Sequence, residues 1–142
     1  MRPIIPIAAA ACLAAGLALS AQAAVGPGQQ AVLDHFAQLA KQADPSFSGF
    51  SAARGKAFFL ARRTTGNADT PSCSTCHTTD PRNGGQTTVG KAIAPMAVSR
   101  TPKRFTDLAK VKKWLRRNCD TVIGRQCTPQ EAGDFITYMS SL

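Results

Sequence analysis

The chain has 142 residues, with 17 Lys and Arg against 8 Asp and Glu, for a net charge of +9. That length leaves room for one domain, and the charge favours acidic partners or surfaces. A basic chain also raises nucleic acid, but an export signal and few aromatics outside apolar patterns exclude it as a partner.

The first 23 residues read as a cleaved signal peptide: Arg2 gives the positive end, Ile4 to Leu19 the apolar run, and Ala21-Gln22-Ala23 the small-residue cleavage site. A single domain is expected over residues 24–142, and loss of Arg2 lowers the net charge by one, to +8. The apolar run is short for a membrane span and is interrupted by Pro6. Cleavage removes Cys12 and leaves four cysteines in a disulfide-permissive compartment, expected to be a bacterial periplasm.

After a Gly26-Pro27-Gly28 breaker, Val32, Leu33, Phe36, Leu39, Ala40 and Ala43 recur with helical spacing until Asp44-Pro45. His35 lies at helical offsets from Val32 and Leu39, where it could reach a buried metal or sit at the boundary with one nitrogen in water. A second helix starts near the cap candidate Ser51 and runs to Arg63. Gly55 inside it costs about 1 kcal/mol relative to alanine, which implies that another backbone passes close.

Cys73-Ser74-Thr75-Cys76-His77 carries the strongest signal. Two thiols three apart with an imidazole next in sequence form the c-type haem attachment motif: two thioethers fix the macrocycle and the histidine becomes the proximal iron ligand. A redox Cys-x-x-Cys would need a βαβ context, absent from the flanks. A zinc site would need Cys119 and Cys127, which outside the cytosol more naturally oxidise. With Cys73 and Cys76 assigned to haem c, Cys119 and Cys127 are free to pair, and closing that short loop contributes about 2.5 kcal/mol by the chain-entropy estimate.

Residues 64–72 and 78–104 are rich in Thr, Gly, Asn, Pro and Ser and read as loops wrapped round a ligand. Ile93 and Pro95 are placed at the haem edge, with a nearby carbonyl expected to orient His77. Met96 is either a competing thioether ligand or core filler. A third helix spans Thr106 to about Asn118, with Leu108, Val111, Trp114 and Leu115 as its buried stripe and five Lys or Arg outside. Asn118 continues the stripe, which suits a helix-ending cap or an amide directed at iron. In the last helix Thr128, Pro129 and Glu131 form a capping box, followed by an apolar face of Ala132, Phe135, Ile136 and Met139.

The fold expected is all-α, about four helices around one covalent haem. The region around Gly55 and Phe59 resembles class I cytochromes c, in which the helix before the haem motif crosses the C-terminal helix; Phe135 or Tyr138 would supply the other side. Five stretches together, Asp69 to His77, Thr88 to Pro95, Arg104 to Asp107, Lys113 to Cys119 and Val122 to Pro129, closely resemble the Sphaeroides haem proteins. The resemblance covers most of the chain from about Gly55 onward. It implies that Asn118, just before a Cys119–Cys127 disulfide, binds ferric iron through its side chain, where related cytochromes carry histidine. Met96 departs from the leucine expected there.

That family implies electron transfer with a dihaem cytochrome c, and indirectly a membrane cytochrome b, as partners, and small gaseous ligands O2, NO or CO on the reduced haem. An enzymatic use of bound O2 or NO, as a dioxygenase or reductase, finds no evident general acid or base in the sequence. A conventional His/Met carrier is the third reading, with Met139 at a suggestive distance after His77 but explained by its apolar spacing.

Overall fold

The computed structural model describes residues 25–142, so the expected signal peptide lies outside the described residues. In chain order the elements are α1 (Pro27–Ala43), α2 (Ala52–Leu60), α3 (Ser74–His77), β1 (Gly85–Gln86), β2 (Ala92–Ile93), α4 (Leu108–Ile123) and α5 (Pro129–Ser140). The all-α expectation holds, with α3 a single turn added to the four long helices. The two-residue strands pair antiparallel, Gly85 with Ile93 and Gln86 with Ala92, inside what reads in sequence as loop.

The expected breaker is instead the start of α1, with Gly26 as cap and Pro27 in the first turn, where its missing N–H costs nothing. α2 is capped as expected: the Ser51 side chain accepts from the Arg54 N–H at 3.3 Å. It stops at Leu60, short of Arg63. α4 begins after Asp107, whose carboxylate accepts from the Lys110 N–H at 3.0 Å. It runs on to Ile123 and is closed by Gly124 at φ 74°, a left-handed cap that glycine adopts without strain. Trp114 is 53% exposed rather than buried. Each residue turns a helix by about 100°, so the stripe of Leu108, Val111, Leu115, Cys119 and Val122 leaves Trp114 on its shoulder, under Lys113 and Arg117 at 5.8 and 5.3 Å from the ring.

The core sits where α2 and α1 pack on α5. At the α2/α5 crossing a Cβ on Gly55 would run into the Asp134 carbonyl and come within 2.9 Å of the Tyr138 Cβ. Directly below it Phe59, fully buried, meets Phe135 and Tyr138 with ring centroids 6.3 and 6.1 Å apart. Both aromatics therefore supply the crossing. The buried Asp134 carboxylate ties the same junction, accepting from the Ser51 N–H at 2.6 Å and from Arg54 Nε and Nη2 at 2.7 and 2.8 Å. The capping box of α5 forms in full, Thr128 N–H to Glu131 Oε2 at 2.8 Å and Glu131 N–H to Thr128 Oγ1 at 3.1 Å, with Arg125 clasping the Glu131 carboxylate.

Candidate haem site

α3 is the motif itself. Cys73 stands at its N-cap and Cys76 and His77 follow three and four residues on, the spacing that sets side chains on one face of a helical turn. After His77 the chain turns sharply at Thr78, φ 61°. β1 then presses against the turn, since a Cβ on Gly85 would strike the Cys76 carbonyl and lie 3.0 Å from the His77 Cα. The loop is folded back under the motif by the Met96 and Ala97 N–H groups, which both donate to the buried Pro81 carbonyl at 2.8 and 2.9 Å.

Cys73 and Cys76 are both unpaired thiols among the described residues. Burial pushes the Cys73 thiol up to about 11. A catalytic redox cysteine needs the opposite shift, toward thiolate, so the chemistry here disfavours a disulfide oxidoreductase. Burial also brings the His77 imidazole down to about 4, with the Arg104 guanidinium adding to the effect. A neutral ring is the form that binds a metal. The His77 Nδ1 is buried and has no hydrogen-bond partner among the described residues. The carbonyls expected to orient it are engaged elsewhere: Pro95 accepts from Thr101 Oγ1 and Arg104 Nε at 2.9 and 3.0 Å, and Ala94 from Arg104 Nη2 at 2.6 Å. Two free thiols, a neutral imidazole beside them and a tight glycine under the turn fit haem c.

Arg104 is the site residue that sequence reasoning passed over as anything more than part of a matching stretch. Its signal was faint, a lone arginine in a basic chain. The structure makes it a brace across residues 94–104, with its positive charge felt at His77.

Asn118 lies in the interior of α4, exposed, five residues before Ile123. The cap role therefore falls to Gly124. Cys119 and Cys127 are joined as a disulfide, Cα atoms 5.6 Å apart, which removes them from any zinc set; among the described residues no group of three or more His, Cys, Asp or Glu could hold a metal ion. Cys73 packs against the cluster of Cys119, Val122 and Ile123, so the motif and the segment next to Asn118 meet in one neighbourhood. Residues 64–72 reinforce that join: Asn67 N–H donates to the Thr121 carbonyl at 2.8 Å and Thr65 Oγ1 to that of Ile123.

Met96, 7% exposed, belongs to the core cluster that includes Val111, Phe135 and the fully buried Met139, so packing accounts for both methionines. His35 sits on α1, edge-on to Phe36 at 5.5 Å, with Nε2 buried and unpartnered among the described residues.

Over 90 residues, 63% of this chain and 70% of its relative, the sequence is 56% identical to cytochrome c-type protein SHP of Cereibacter sphaeroides. The chain belongs to the SHP family of c-type cytochromes. Its cofactor is accordingly one covalent haem c, the group for which α3 is built. Residues 45–139 of this SHP-family cytochrome match the family described as Domain of unknown function (DUF1924). It is also 35% identical over 105 residues to cytochrome c'' of Methylophilus methylotrophus, covering 73% of each. Among solved structures it superposes on oxidised SHP, described as an oxygen binding cytochrome c, with TM-score 0.74, 45% identity and coverage of 80% of this chain and 96% of that one. The oxidised cytochrome c'' crystal structure gives 0.67 at 33% identity, covering 79% and 92%. A solution structure of the same cytochrome c'', concerned with haem-ligand detachment, gives 0.65 at 33% identity, covering 78% and 90%.

Proposed function

We propose that this chain is an exported, periplasmic electron-transfer cytochrome in which His77 and Asn118 would hold the ferric haem iron and Asn118 would release it on reduction, leaving the reduced protein able to take O2, NO or CO. The haem supplies a one-electron couple and one coordination position that a diatomic gas can take. His77 would hold the haem iron as a neutral imidazole. Asn118 would supply an amide oxygen, a hard and weak donor better matched to ferric than to ferrous iron. Each tenfold preference of that oxygen for the oxidised state lowers the one-electron potential by about 59 mV.

The observation that carries this reading is the place of Asn118 in α4. Asparagine is a poor residue for a helix interior, because its side chain competes for backbone hydrogen bonds. With Gly124 as the cap, no local structural need remains for it there, one residue before the Cys119 disulfide and beside the segment that packs on Cys73. The oxygen binding described for SHP and the ligand detachment studied in cytochrome c'' support the same behaviour here. The basic surface supports an acidic redox partner, with a dihaem cytochrome c as donor and a membrane cytochrome b upstream of it.

The test is CO binding followed by absorption spectroscopy. The ferrous protein is expected to take up one equivalent of CO rapidly and the ferric protein none. A six-coordinate low-spin ferrous spectrum that excludes CO would establish a closed His/Met or bis-His carrier instead.

A further inference from the structure

On the flank of α4 turned away from Asn118, a cleft of about 410 Å³ opens between α1, α4 and α5. Helical geometry puts Lys112 and Arg116 about 120° and 160° round the axis from Asn118, so this is a different face from the one that carries the candidate iron ligand. The floor is apolar: Phe36 from α1, Leu115 from α4 and Ala132 from α5, with the disulfide-bonded Cys127 in the wall. The rim is cationic: Lys112, Lys113 and Arg116. Neighbouring cations are already paired, Lys110 with Asp107 at 3.7 Å and Arg125 with Glu131 at 2.7 Å. The three rim cations form no ion pair among the described residues.

We infer that this cleft is a binding site for an amphiphilic organic anion, a carboxylate carried on a short alkyl or aromatic body. The volume lies at the small end of ligand-sized pockets, roughly 300 to 1,000 Å³, which suits one such molecule. Covering Phe36, Leu115 and Ala132 drives the apolar part in, while the cationic rim selects the head group and rejects a cation or a neutral alcohol. The concavity and the mixed lining distinguish the cleft from the outer face of α4, where Lys110 pairs with Asp107 and Arg117 lies over the exposed Trp114 ring. The inference goes beyond the gas-binding reading and does not depend on it.

The test is calorimetric titration of the ferric holoprotein with sodium decanoate, with sodium acetate, 1-decanol and a hexaglutamate peptide as parallel arms. Saturable one-to-one binding of decanoate is expected, with acetate and decanol at least tenfold weaker. In the triple variant Lys112→Gln, Lys113→Gln, Arg116→Gln, decanoate affinity is expected to fall about tenfold, the product of three exposed charge contacts. An unchanged Soret band and melting temperature in that variant show the haem and fold intact. The proposal is overturned if decanoate shows no saturable heat, if the variant binds it as tightly as the wild type, or if decanol matches it. It is equally overturned if the hexaglutamate peptide binds more tightly than decanoate, which would make the rim a docking face for acidic protein.

Discussion

Replacing Gly55 by alanine tests whether the helix crossing that holds the molecule together is as tight as its geometry says. The new methyl would meet the carbonyl of Asp134 and the Cβ of Tyr138, both rigid parts of α5, so neither can swing aside. α2 and α5 must separate, loosening the Phe59 contacts with Phe135 and Tyr138 and stretching the Arg54–Asp134 bridge. Overpacking of this kind costs about 3 kcal/mol at the upper end of its usual range. Removing a glycine from a helix interior returns about 1 kcal/mol. The net loss is about 2 kcal/mol, and at about 4 °C per kcal/mol for a chain of this size the melting temperature falls by about 8 °C. Thermal melts of the ferric holoprotein, read by far-UV circular dichroism, measure it directly. A variant that melts at or above the wild-type temperature would refute the close approach and the argument built on it.

Three further outcomes are expected. Asp134→Asn keeps the size of the side chain but halves its acceptors, and since Arg54 can turn to solvent the loss is about 1 to 2 kcal/mol, read from the urea midpoint. Hydrogen bonding to Arg125, then to Thr128, holds the Glu131 carboxyl below its ordinary value. Its contribution is therefore present above the unfolded value of about 4.3 and is lost as pH falls through the lower folded one, so the stability gap between wild type and Glu131→Gln, about 1 kcal/mol at pH 7, closes below about pH 4; a gap constant to pH 3 would contradict this. Reduction by an acidic cytochrome c should slow as ionic strength rises from 0.01 to 0.5 M, because the screening length shrinks from about 30 Å to a few ångströms; a flat profile would remove the basic docking surface.

Much of this was legible in the sequence because the signals were local. The Cys73, Cys76, His77 spacing defines a haem turn without reference to anything distant, and Thr128, Pro129 and Glu131 specify a helix start through their own hydrogen bonds. Gly55 pointed to a close crossing, and the structure supplies the backbone that crosses it. What was hidden depended on tertiary placement. Trp114 matched the apolar period of α4 approximately, yet a stripe set by Leu108, Val111 and Leu115 left it outside. The sequence pattern ends α4 near Asn118, since asparagine often stops helices, while the αL glycine at 124 lies beyond a cysteine whose bond to Cys127 ties the last turn down. Arg104 carries no periodic signal and enters the sequence reading only as part of a matching stretch; its role follows from where the Ala94 and Pro95 carbonyls lie once the loop has folded.

The central claim is that Asn118 prefers the oxidised iron. The measurement that tests it most directly is the midpoint potential of Asn118→Ala against the wild type, by optical redox titration at one pH. Removing a ligand that stabilises only the ferric state raises the potential, by about 59 mV for each factor of ten in the lost preference. A potential that is unchanged or lower would contradict the account and place residue 118 outside the coordination of the iron.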